Sequence, residues 1–140
     1  MSKLAVVYWS GTGNTEAMAN AVADGAKNAG AEVTLFTAAD FTASQVDAFD
    51  AIAFGCPAMG AEVLEEDEFE PMFIGCESKL SGKKIALFGS YGWGDGEWMR
   101  TWEETCRKGG AVLVTESVIC QEAPDDAAES ACRDLGAALV

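Results

Sequence analysis

Short apolar runs alternate with amphipathic helical stretches from one end of this chain to the other, and that alternation narrows the fold more than any other feature. LAVVYW (Leu4 to Trp9), EVTLF (Glu32 to Phe36), AIAFG (Ala51 to Gly55), KIALFGS (Lys84 to Ser90) and AVLVTESVIC (Ala111 to Cys120) read as strands. The continuous apolar character of AIAFG predicts burial on both faces. Helices are predicted over Thr15 to Ala29, Glu66 to Cys76, Glu97 to Arg107 and Asp125 to Leu139, with one or two turns between Thr42 and Phe49. Met18, Val22, Ala26 and Ala29 share one helical face; Trp98, Thr101, Trp102 and Cys106 share another. Gly30 stops the first helix, Pro71 fits best where a helix begins, and Asp125 or Asp126 caps the last one after Pro124. Strands joined by helices run parallel through right-handed crossovers. The expectation is an α/β fold: a five-stranded doubly wound parallel sheet between two helical layers, in a single domain spanning residues 1–140.

The charge balance removes whole classes of function. Twenty-three acidic residues against nine basic ones give a net charge of -14, so nucleic acid is excluded as a partner and basic proteins are favoured. The chain has no histidine, and its five cysteines include no CxxC pair, which argues against zinc or haem and for reduced thiols. No apolar run reaches the roughly 18 residues of a membrane span, and MSKLAVVYWS lacks a cleavage site, so it reads as a first strand. These features predict a cytoplasmic protein with no metal site and no membrane association.

Ligands of doubly wound sheets bind beyond the carboxyl ends of the strands. The three unusual stretches of the sequence all follow strands at that edge: SGTGNT (Ser10 to Thr15), CPAMGAE (Cys56 to Glu62) and SYGWGDG (Ser90 to Gly96). In the first, Gly11 and Gly13 permit close backbone approach, and Ser10, Thr12, Asn14 and Thr15 add hydrogen-bond donors at a helix start. The loop carries no lysine, so it is not a triphosphate-hydrolysing P-loop; it reads as a lysine-free anion cradle or as a tight capped turn. In the third, glycines on both sides of Trp93 leave its indole for a flat ligand or for solvent. In the second, Met59 offers a polarizable thioether as the opposite wall. Together they describe a slot for a planar ring on a phosphorylated tail.

With those residues in view, SGTGNTE, GCPAMGAE and GSYGWGDGEWM resemble the three flavin-binding loops of the short-chain flavodoxins, most closely the clostridial type, over nearly the whole chain. No insertion in the fifth strand agrees with the short-chain class. The resemblance implies the strand order 2-1-3-4-5, for which flavodoxins are the standard illustration, in a three-layer sandwich. It implies noncovalent FMN and a low-potential one-electron carrier that shuttles between redox proteins, reductases on one side and electron-accepting enzymes on the other, as a monomer rather than as an enzyme. The alternative on the same fold is a small FMN-dependent NAD(P)H or quinone reductase.

Residue by residue, the resemblance implies that amides from Thr12 to Thr15, Gly13 among them, hold the phosphate with the hydroxyls of Ser10, Thr12 and Thr15, beside Gly11 and Asn14. Pro57, Ala58, Met59, Gly60, Ala61 and Glu62 form one wall; Ser90, Tyr91, Gly92, Trp93 and Gly94 form the other. Met59 and Trp93 flank the ring, Glu62 accepts from ring N3, Ser90 reaches the tail, and backbone near Gly92 meets the pyrimidine edge. Pro57 stands where some relatives carry a phosphate-contacting serine. Gly60 makes a type II′ turn inexpensive, whereas type II needs positive φ at Ala61, so Ala61 is expected to bias the turn. The run Glu62, Glu65, Glu66, Asp67, Glu68 and Glu70 reads as a solvated face that also disfavours a reduced, anionic ring. One charge at about 10 Å and an effective dielectric of about 40 contributes roughly 0.8 kcal/mol, or roughly 35 mV, before screening.

Overall fold

The computed structural model describes residues 2–60 and 62–140. Its sheet has β1 (Lys3–Tyr8), β2 (Glu32–Thr37), β3 (Ala51–Gly55), β4 (Lys84–Tyr91), β5 (Val112–Leu113) and β6 (Val118–Gln121). All pairings are parallel, in the order β2-β1-β3-β4-β5, with β6 also on β4. The helices are α1 (Asn14–Asn28), α2 (Ala43–Val46), α3 (Phe69–Cys76), α4 (Glu97–Lys108) and α5 (Asp126–Ala138). The doubly wound parallel sheet with the order 2-1-3-4-5 is therefore as expected.

Alternation along the strands separates two cores. Ala5, Val7, Ile52, Phe54, Ile85 and Leu87 face α3 and α4, where Phe69, Phe73, Trp98 and Trp102 are buried. Leu4, Val6, Ala51, Ala53, Ala86 and Phe88 face α1 and α5, where Met18, Val22, Ala26, Cys132 and Leu135 are buried. β3 is buried at every position, as its unbroken apolar run requires.

The differences from expectation are local and have causes. The fifth strand is two segments. Pairing of Lys84 with Val112 and of Phe88 with Val118 leaves residues 114–117 opposite Ala86 and Leu87 alone. This interruption falls on polar Thr115, Glu116 and Ser117, and Ser117 Oγ donates to Glu103 Oε2 at 2.7 Å. α3 begins at Phe69 rather than Glu66, which puts Pro71 in the first turn, where a missing N–H costs nothing. On α4 the buried face is Trp98, Met99, Trp102 and Cys106, and Thr101 is exposed. Ala29 is exposed beyond the end of α1, followed by Gly30 at φ 100°. Asp125 caps α5, its side chain accepting from the Ala128 N–H at 2.8 Å. All five cysteines are free; burial pushes the Cys56, Cys106 and Cys132 thiols up to about 12.

Candidate functional site

The loops after β1, β3 and β4 converge at the carboxyl edge of the sheet. The β1 loop closes on itself through Ser10, whose Oγ accepts from the Gly13 N–H at 3.0 Å and the Glu16 N–H at 3.3 Å. Gly13, at φ 93°, turns the chain into α1. Among the described residues no protein acceptor takes the N–H groups of Thr12, Asn14 and Thr15. They are the donors a helix start leaves over, at the positive end of α1. Thr15 is buried beneath the loop, its Oγ1 3.2 Å from Ser90 Oγ, so the first and third loops are bonded to each other.

A cleft of about 570 Å³ opens beside these donors, lined by Trp9, Gly11, Thr12 and Asn14 on one side and Pro57, Ala58, Met59, Ser90, Tyr91 and Gly92 on the others. Its size falls within the roughly 300–1,000 Å³ of small-molecule sites. A small crevice of about 10 Å³ continues past Ala58, Met59 and Gly92 to Gly60, Glu62 and Trp93. Trp93 is 64% exposed at the rim. Met59 and Val63 pair as an isolated antiparallel bridge that shapes the second loop, with N–H donation at 2.9 and 3.2 Å. Gly60 and Glu62 have positive φ, 26° and 56°. Ala61, on which the turn argument rested, lies outside the described residues. Ser10 and Gly13 line a neighbouring crevice on the β2 side, and Gly94 packs against the Glu62 carboxylate. Oε1 of Glu62 is buried with no hydrogen-bond partner.

Glu122 and Ala123, from the loop after β6, also line the cleft and are absent from the sequence-based site, as is Trp9. Glu122 sits at φ 59° with its N–H donated to Tyr91 O at 2.7 Å. The position of that loop at the same carboxyl edge was the available signal. Trp9 is held by donation from its Nε1 to Glu68 Oε1 at 3.0 Å.

The acidic run is not one solvated face. Glu65 is 5% exposed, and its carboxylate accepts from the N–H groups of Asp67, Glu68 and Phe69 at 2.8–2.9 Å. It thus supplies acceptors at the start of α3. Burial alone would raise its pKa; the three backbone donors outweigh that and hold it below the ordinary carboxylate range. A depressed folded-state pKa gives stability that is present above the unfolded value and lost as pH falls through the folded one. Glu65→Ala is therefore expected to destabilise the protein by about 2 kcal/mol at neutral pH, by analogy with charged hydrogen bonds at caps. Urea melts across pH 2–7 check this: the difference shrinks on the acid side, because the wild type loses there what the variant never had.

Unpartnered amides at a helix start, an adjoining cleft and a buried lone carboxylate oxygen fit a ligand with an anionic tail and a flat N–H-bearing body. Fold and site define a nucleotide-cofactor protein of the doubly wound α/β class. The flavodoxin family model matches residues 6–136. The chain is 49% identical to a flavodoxin of Clostridium beijerinckii over 131 residues, covering 94% of each. It is 48% identical to a flavodoxin of Megasphaera elsdenii over 133 residues, covering 95% of each. The solution structure of the two-electron reduced Megasphaera elsdenii flavodoxin superposes with a TM-score of 0.90 over 97% of both chains. The chain belongs to the flavodoxin family. It is accordingly an FMN-binding electron carrier that works with redox partners, not an enzyme. Among the described residues no helix is long and apolar enough to cross a membrane.

Proposed function

We propose that the whole chain, residues 1–140, is one domain that carries single electrons at low potential between cytoplasmic redox proteins, with FMN held in the cleft between the first, second and third loops. Bound FMN supplies the one-electron chemistry. The chain supplies position and electrostatics. The N–H groups of Thr12, Asn14 and Thr15 bind the phosphate, helped by the Thr12 side chain and the partial positive charge of α1. Ser10 holds that loop closed from inside. The Thr15–Ser90 contact fixes the distance between the tail end and the third loop. Met59 and Trp93 cover the ring, and the unpartnered Glu62 Oε1 accepts from its N–H. Among the described residues no cationic side chain lines the cleft, so none offsets the Glu122 and Glu62 carboxylates beside it, which would disfavour added negative charge on the ring.

The observation that carries this assignment is the set of unpartnered α1 amides beside a cleft of cofactor size. The test is titration of apoprotein with FMN and with riboflavin, followed by quenching of flavin fluorescence. Several charge-assisted hydrogen bonds of about 1.5–3 kcal/mol each predict at least about a hundredfold weaker riboflavin binding. Equal affinity would remove the phosphate cradle. NADPH alone is expected to leave the bound flavin oxidised over minutes while dithionite reduces it; rapid direct reduction would favour the reductase reading.

A further inference from the structure

Three sulfur-bearing side chains from three elements meet on the α1–α5 side of the sheet. Met18 on α1 and Cys132 on α5 are buried in one cluster, and Cys120 near the end of β6 packs against it, half-buried. Cys120 Sγ lies 3.5 Å from Met18 Sδ. A charge on Cys120 raises the Cys132 thiol more than Glu129 on the same helix does, and more than the adjacent Arg133 lowers it, so the two cysteine sulfurs are close neighbours. All five cysteines are free. Among the described residues no three histidine, cysteine or carboxylate side chains come together; here the third member is a thioether. The missing histidines and CxxC pairs argue against zinc and haem, but they do not bear on an all-sulfur set assembled by the fold. The other thiol–thioether contact, Cys76 to Met72 at 3.9 Å, lies within α3, where Cys76 is fully buried and no second cysteine acts on it.

Thiolate and thioether sulfurs select Cu(I), an ion satisfied by few ligands, whereas zinc takes a fuller set of thiolate, imidazole or carboxylate. With metal–sulfur bonds of about 2.3 Å, two sulfurs of a trigonal set stand about 4.0 Å apart. The Cys120–Met18 pair therefore has to open by about half an ångström, within the reach of an unbranched thioether side chain. Cys120 is the way in. It is half-exposed, Asp125 acts on it, and the Glu122 carbonyl oxygen lies 3.6 Å from its sulfur. The net charge of -14 concentrates cations at the surface around it. We propose that Cys120, Cys132 and Met18 form a binding site for Cu(I). Each ion bound displaces one proton from each of the two thiols, the thioether binds as it stands, and no electron is transferred. The site is separate from the cofactor cleft and rests on no property of the flavin, although Glu122, two residues beyond Cys120, lines that cleft.

The test uses FMN-loaded protein under argon, with its methionine methyl groups labelled with ¹³C. Cu(I) affinity is read by withdrawal of the ion from its purple bicinchoninate complex, which absorbs to the red of oxidised flavin. The wild type is expected to take up one ion per chain. The Met18 methyl resonance, assigned by its loss in Met18→Leu, is expected to shift with that uptake. Cys120→Ala and Cys132→Ala are each expected to weaken Cu(I) at least about a hundredfold, since even outer partners of a metal site contribute about ten- to hundredfold. Met18→Leu, a swap of similar volume, is expected to weaken it about tenfold. Cys76→Ala is expected to bind as the wild type does, and Zn(II) to leave the Met18 methyl unmoved. A silent Met18 methyl on Cu(I) uptake, wild-type affinity in Cys120→Ala, an equal loss in Cys76→Ala, or the same Met18 shift with Zn(II) would overturn the proposal. Cys120 is half-exposed, so its variant carries the test by itself if Cys132→Ala does not fold.

Discussion

Gly136→Ala and Gly25→Ala are each expected to lower the unfolding free energy by about 2 kcal/mol, although alanine is the better helix former. The two glycines stand where α1 and α5 cross. A Cβ on Gly136 would run into the Val22 carbonyl oxygen and come within 3.0 Å of the Ala26 nitrogen. A Cβ on Gly25 would run into the Arg133 carbonyl oxygen and come within 2.6 Å of its Cα. In both cases the obstacle is helix backbone, which cannot rotate aside as a side chain can. One helix must move away from the other and from the Met18, Val22 and Leu135 layer beneath them. Overpacking of this kind costs about 1–3 kcal/mol and sometimes more, against about 1 kcal/mol gained from helix propensity, so the steric term wins at the upper end of its range. Gly75→Ala in α3 is the control, because nothing lies within 4 Å of its added Cβ. It should gain up to about 1 kcal/mol. Urea unfolding of the three apoproteins checks the signs; apoprotein is needed because a bound cofactor adds its own stabilisation. A neutral Gly136→Ala would mean that the helices separate freely.

Gly94→Ala is expected to weaken FMN binding by about ten- to hundredfold, the loss of one charged hydrogen bond. Gly94 has φ 88°, and a Cβ there would collide with the Glu62 carboxylate. Glu62 cannot keep its place against the Trp93 loop, so the acceptor proposed for the ring N–H is displaced while Glu62 itself remains in the chain. Backbone strain alone could weaken a loop, and Gly82→Ala separates the two causes. Gly82 has a comparable φ of 77° but open space around its Cβ, and it precedes β4 at the opposite end of that strand from the cofactor edge. Both variants bear the same left-handed penalty of roughly 1–2 kcal/mol in stability. Only Gly94→Ala should change the FMN dissociation constant, measured by fluorescence titration. Equal FMN affinities in the two variants would show that Glu62 contributes nothing to holding the ring.

Much of this protein is local information. The periods of the strands and helices, Pro71 in a first turn and Asp125 at a cap each depend on a few neighbouring residues, so the strand–helix alternation and the three loops could be read directly. Which groups meet across the chain depends instead on topology. Glu65 sat in what read as a solvated acidic run, yet it is buried under α3 because Asp67, Glu68 and Phe69 N–H groups need an acceptor there. Trp9 and Glu122 reach the cleft only because β1 and β6 end at the same edge of the sheet. The break in the fifth strand arises from its register on β4. Side-chain periodicity settles which way a residue faces. What it faces is set by long-range packing, whose energy belongs to pairs distant in sequence.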